Sequence, residues 1–211
     1  MKQDNMNDED QMSMSNLFGN NRIKQQVRQF REFTFFIDEA IGEPSKYREE
    51  LHTLLTASEN DAITLVINSP GGQLNTAAAL VECIKNTEAQ VTALILQECS
   101  SAATFIALNC PQVIVSDSAE FMIHTGRFGS VGTANNVKDH VSFTVAQINK
   151  MIDETYVGFL NATELEQVKN GVEFWFDAEE TKRRFRNRTK YLVQQEKKRK
   201  KAIPQTTKEE S

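Results

Sequence analysis

Two stretches constrain the fold more than anything else in this chain. Ala62-Ile63-Thr64-Leu65-Val66-Ile67 and Val91-Thr92-Ala93-Leu94-Ile95-Leu96 are almost continuously apolar, with no alternation. Alternation would mark a strand with one wet face; a continuous run marks one covered on both. The residues between them, 74–86, are rich in Ala and read as a helix. Strand, helix and strand in that order predict a largely parallel sheet clothed by helices, an α/β fold. Residues 33–37 read as a further buried strand. Residues 44–57, after Pro44, form a helix with Tyr47, Leu51 and Leu54-Leu55 at helical spacing. Residues 101–109 read as a short apolar helix, and Val113–Val115 and Glu120–His124 as two more strands. A Gly/Ser/Thr/Asn loop over 125–136 precedes a long helix over 137–160, whose apolar residues recur every three or four positions. That helix either packs on the core or projects to meet another subunit.

A length of 211 residues suffices for one domain with a real core. The net charge of −5 hides a segregation, because residues 182–201 hold eleven of the twenty-four Lys and Arg and a single acid, Glu196. Such a block reads as a solvated helix end, or as a contact for nucleic acid, an acidic protein surface or a neighbouring subunit. Residues 1–22 are polar and without period, and read as a flexible arm. The three cysteines, Cys83, Cys99 and Cys110, show no metal spacing and no disulfide framework, which suits a reducing compartment. The first thirty residues hold no apolar signal region, and no apolar window is long enough to span a membrane. A cytoplasmic location is therefore expected, with no membrane partner.

Three motifs carry chemistry. The strand at 62–67 runs into Asn68-Ser69-Pro70-Gly71-Gly72. Two glycines permit backbone angles closed to other residues and let a substrate main chain approach; a free N–H there can stabilise an oxyanion. Alone, the segment also reads as an ordinary strand-ending turn. Ser101 stands between a strand and the apolar helix. It reads as an N-cap, or as a nucleophile at the positive end of a helix with small neighbours, Ala102 and Ala103. His124 closes a strand and is the best general base available, since His52 and His140 sit among polar neighbours.

Taken together, "INSPGG" at 67–72, "SSAATFIAL" at 100–108 and "FMIHTG" at 121–126 resemble the ClpP-like serine peptidases, the proteolytic subunits of Clp protease. The resemblance covers roughly 32–180, with "FWFDAEE" at 174–180 as a fourth matching segment. It implies layered sheets of the ClpP/crotonase kind, with flanking helices and a projecting handle helix at 137–160. It makes 23–180 the peptidase domain and 181–211 a basic extension. It assigns Ser101 as nucleophile, His124 as general base, and the N–H groups of Gly72 and Ala102 as the oxyanion hole. It implies an unfolded polypeptide as substrate, a homo-oligomeric ring, stacked through the handle helices, and an ATP-driven unfoldase partner of the AAA+ class in protein quality control. The chain carries no nucleotide-binding loop of its own, and neither metal nor cofactor is required. Nucleic acid is not an expected partner. The crotonase-like relatives share the sheet and the Gly-rich turn but do not require the Ser101/His124 pair.

The family's acid is the departure. Its position falls on Lys169, Asn170 or Gly171; Asn170 is taken as the third member, with Glu173 as the residue able to replace it. A weaker acid position raises a second reading, a catalytically weakened ring subunit acting as scaffold or regulator. The unusual ends resemble phage-type members that act in head maturation.

Overall fold

The computed structural model describes residues 30–202. The expected arm at 1–22 lies outside the described residues. One six-stranded sheet organises the rest, in the order β1-β2-β3-β5-β6 with β4 also on β3. β1 (Glu32–Ile37), β2 (Ala62–Ser69) and β3 (Gln90–Ser100) pair in parallel. The strand expected to be buried over 33–37 is not, since β1 buries only Ile37 and leaves Phe36 exposed. β3 alternates between buried and less buried residues, so the continuous apolar runs do not mean that both faces are covered. β4 (Gln112–Val115) and β5 (Glu120–Ile123) share the other edge of β3 in tandem. Thr92–Ile95 pair with β4, and Glu98–Ser100 pair with β5, both parallel. The change of partner coincides with a register shift, in which Ile67 faces Ile95 but Ser69 faces Cys99. The Asn68 side chain fills that bulge, accepting the Glu98 N–H at 3.0 Å. β6 (Phe174–Phe176) closes the sheet antiparallel to β5.

Helices cover the sheet where the sequence is apolar on one stripe or all round. A 3₁₀ turn (Pro44–Tyr47) leads into α1 (Arg48–Thr56), splitting the helix expected over 44–57. α2 (Leu74–Asn86) buries Ala77, Leu80, Val81 and Ile84. α3 (Ala102–Asn109) is buried from Ala102 through Leu108, so it lies inside the domain. α4 (Ala134–Tyr156) packs on the core at one end only. Its last turns bury Ile148, Ile152 and Tyr156, while Val141, Phe143 and Val145 stay exposed on the earlier ones.

α5 (Ala162–Lys169) opens on a capping box, with Asn161 accepting the Glu164 N–H and Glu164 accepting the Asn161 N–H. α6 (Ala178–Ala202) runs straight across the boundary expected at 180/181. Its first turns belong to the domain, because they carry apolar and bonding groups inward. Phe185 joins Phe121 and Phe159 with ring centroids 5.7 and 5.1 Å away. Arg184 forms a two-pronged pair with Glu164 at 2.7 and 2.9 Å and lies over the Phe176 ring. Arg188 is buried and donates to the carbonyls of Val157 and Leu108. Only beyond this does the basic run become the solvated helix that its composition suggests. No helix among the described residues is long and apolar enough to cross a membrane, and no cluster of potential metal ligands occurs among them.

Candidate active site

The site forms where β3 and β5 end. β3 hands the chain to α3 through Ser101, whose backbone angles are φ 55° and ψ −122°. It is the one non-glycine residue with positive φ among those described. Strain of this kind costs of order 1–3 kcal/mol and persists where surrounding structure fixes it. Here the Ser101 N–H donates to Met122 O at 2.9 Å, which ties the turn to β5. Its carbonyl accepts the Thr104 N–H and the Thr104 hydroxyl, at 3.0 and 2.6 Å. The Thr104 hydroxyl also meets the buried Tyr156 hydroxyl at 2.8 Å, so the end of α4 helps hold the turn.

His124 follows β5 directly. Its Nε2 lies 2.7 Å from Ser101 Oγ. With its proton on Nδ1, the ring accepts the serine hydroxyl through Nε2. Burial lowers the His124 pKa below the usual imidazole value; Glu173 opposes this by raising it, and Arg127 lowers it further. The ring therefore stays neutral, and able to accept a proton, to lower pH than a free histidine.

The carboxylate beside His124 belongs to Glu173, with Oε1 3.7 Å from Nδ1. Asn170 is not that neighbour. It is the C-cap of α5, with its amide donating to Glu166 O at 2.8 Å. The same carbonyl accepts the Asn170 N–H at 3.1 Å, so backbone and side chain of Asn170 are both engaged at the helix end. Gly171 then turns the chain with φ 92°, and the next approach to the site falls two residues later, at Glu173.

Gly71 and Gly72 line the other side. Their φ values are 86° and 150°. A Cβ on Gly71 would stand 2.5 Å from Ser100 O and 2.8 Å from Ala102 N, and one on Gly72 would stand 2.3 Å from Ile41 O. Both contacts demand glycine. Ile41 donates to Gly71 O and accepts from Gln73 N, each at 2.8 Å. In a parallel bridge of this form the Gly72 N–H and C=O point to the opposite side, away from Ile41. Ala102 begins α3, so its N–H is one of the four that a helix leaves free.

Gly72, Ser101 and Ala102 border an open cavity of about 1170 Å³, floored by Leu74, Phe105, Ile148 and Met151. Small-molecule pockets span about 300–1,000 Å³, so this one has room for a chain segment. Cys99 is no rival nucleophile, because it is wholly buried and burial pushes its thiol pKa well up. Cys110, likewise buried, is pushed up to about 12.

The Clp protease family model matches residues 19–184. The chain belongs to the Clp protease family. It is similar to the ATP-dependent Clp protease proteolytic subunit 3 of Streptomyces avermitilis, at 26% identity over 156 residues, which cover 72% of this chain and 70% of that relative. Membership gives the site its chemical frame: this is a ClpP-like peptidase, and the junction of β3 and α3 is where the family motifs fall. Sequence reasoning brought Ser101, His124, Gly72 and Ala102 to this place. It missed Arg127, whose only signal was its position three residues after the histidine, and the Thr104–Tyr156 pair, which residue spacing does not reveal.

Proposed function

We propose that this Clp family member is a serine endopeptidase that cleaves unfolded polypeptides inside an oligomeric ring. The observation that carries the reading is the 2.7 Å contact between Ser101 Oγ and His124 Nε2 on a strained strand-to-helix turn. His124 takes the hydroxyl proton as Ser101 Oγ attacks the scissile carbonyl. The N–H groups of Gly72 and Ala102 receive the developing oxyanion, and losing one such donor costs about 3–4 kcal/mol of barrier. His124 then gives its proton to the leaving amine, and water hydrolyses the acyl-enzyme with the same histidine as base. Glu173 takes the place of the family acid and steadies the imidazolium. The substrate lies extended beside Gly72, bonded through its main chain. Exposed Val141, Phe143 and Val145 on α4 support assembly through that helix, and the ATP dependence in the named relative's description supports an ATP-driven partner that feeds substrate.

A specific observation favours a second reading, a weakened ring subunit. Glu173 is 40% exposed and its 3.7 Å separation from His124 exceeds a hydrogen bond. One experiment separates the two: cleavage of an unfolded protein and fluorophosphonate labelling of the full chain, wild type against Ser101→Ala. Labelling and cleavage that both vanish in the variant support the peptidase. An assembled wild type that neither labels nor cleaves supports the scaffold.

A further inference from the structure

The loop after His124 places a cation where the proposed mechanism gains nothing from one. Arg127 Nη2 donates to Glu173 Oε1 at 3.0 Å. The same oxygen lies 3.7 Å from His124 Nδ1. The first distance is a charge-assisted hydrogen bond and the second is not. The guanidinium therefore holds the carboxylate that the imidazole needs. Glu173, from the segment before β6, and Arg127, from the loop after β5, are the charged groups acting on His124, and Ser101 takes its other nitrogen.

Two effects of Arg127 run in one direction. It draws Glu173 Oε1 out of hydrogen-bond range, and its own positive charge opposes an imidazolium. Nothing in the packing locks the pair, since Arg127 is 80% exposed, and exposed ion pairs exchange readily. Arg127 also lines the cavity that borders Ser101. An acidic group on a bound polypeptide is thus the class of ligand that competes with Glu173 for the guanidinium.

We infer that Arg127 is a positioning residue that acts as a brake, keeping Glu173 off His124 until its guanidinium is drawn into the cavity. The inference rests on the serine-peptidase reading above. Closing the gap moves the carboxylate by about 1 Å, a displacement that can change a rate by up to about 100-fold.

The test is the rate at which a small fluorophosphonate labels Ser101 in the full chain, followed across about pH 5 to 8, the range in which a histidine titrates. Wild type is compared with Arg127→Met, Arg127→Lys, Glu173→Gln, the Arg127→Met/Glu173→Gln double variant and Ser101→Ala. Arg127→Met is expected to raise the plateau rate about tenfold. It also moves the acid limb to higher pH, because Glu173 then favours the imidazolium without an opposing cation. Arg127→Lys, which keeps the charge, stays near wild type. The rate gain of Arg127→Met disappears when Glu173 is also Gln, while the part of the pH shift that comes from the guanidinium's own charge remains. A rate at or below wild type, or a gain that survives in the double variant, overturns the brake. Labelling of wild type that is lost in Ser101→Ala yet unchanged in Arg127→Met removes the brake alone. No labelling by wild type or by Arg127→Met removes the peptidase reading, and the brake with it. Labelling by Arg127→Met but not by wild type upholds both.

Discussion

Substituting Gly71 by Ala tests whether the Pro-Gly-Gly turn serves the site or merely ends a strand. The residue holds φ 86°, which costs an alanine about 1–2 kcal/mol. Its Cβ would also meet Ser100 O at 2.5 Å, Ser101 Cβ at 2.7 Å and Ala102 N at 2.8 Å. Two of these atoms are backbone of the β3–α3 junction, which must retreat by about half an ångström in a close-packed interior. Overpacking of this kind adds about 1–3 kcal/mol, for a total near 3 kcal/mol. In a domain of this size that lowers Tm by about 6–12 °C. The retreat shifts both Ser101 and the Ala102 N–H, so fluorophosphonate labelling should slow by about 100-fold even at temperatures where the variant is fully folded. Gly171→Ala is the matched control. It carries a similar φ of 92°, but no atom lies within 4 Å of its Cβ. Only the conformational cost of about 1 kcal/mol applies there, with a Tm loss of about 2–4 °C and labelling unchanged. Thermal unfolding and labelling of the two variants side by side decide the matter. If Gly71→Ala labels as fast as Gly171→Ala, the turn ends a strand and does not position Ser101.

Other perturbations read separate parts of the structure. Glu173→Gln should cut labelling of the Arg127→Met variant by about tenfold, whereas Asn170→Ala, which removes only a helix-end bond, should leave it within about twofold; the opposite ranking would return the third role to Asn170. The wild-type pH–rate profile should have its acid limb below the ordinary imidazole value of 6.5, because burial favours neutral His124 and the rate falls only when that neutral base is protonated; a limb above 6.5 contradicts the burial. Arg188→Met orphans the carbonyls of Val157 and Leu108 and should lower stability by about 2–3 kcal/mol, measured by urea unfolding, without slowing labelling of the folded protein. Tyr156→Phe removes one buried hydrogen bond to Thr104, worth about 1 kcal/mol, but leaves Thr104 on the Ser101 carbonyl; a labelling loss beyond about tenfold would mean that the end of α4 tunes the site directly.

The sheet was legible because its information is local. Continuous apolar runs in β2 and β3 identified the central parallel strands, although β3 is fully covered on one face only, and the Pro-Gly-Gly and small-residue junctions marked where they stop. What escaped were features set by distant partners. β3 extends to Ser100 because β5 arrives beside Glu98–Ser100, which no pattern within residues 90–100 announces. The capping role of Asn170 depends on how far α5 runs, and a helix end is defined only to a residue or two by sequence. Charge count made residues 182–201 look like one solvated block. Phe185, Arg184 and Arg188 divide it, because an arginine can satisfy carbonyls or stack on an aromatic ring as readily as it faces water. The pairing of Arg127 with Glu173 joins residues 46 apart in sequence and had no local signature.

The backbone angles of Ser101 bear on how such a protein changes over time. At φ 55° and ψ −122° glycine is the residue of least strain, so Ser101→Gly should fold more tightly than the parent even though it lacks a nucleophile. A lineage that kept only the shape of this chain would have an easy route to greater stability through that single replacement. Serine at 101 therefore sits against a conformational gradient, and drift towards a purely architectural part would be visible first as a glycine at this turn. The same gradient offers a practical tool: if Ser101 is the nucleophile proposed above, a glycine variant gives a sturdier inactive protein than an alanine variant, which retains the strain and loses the chemistry.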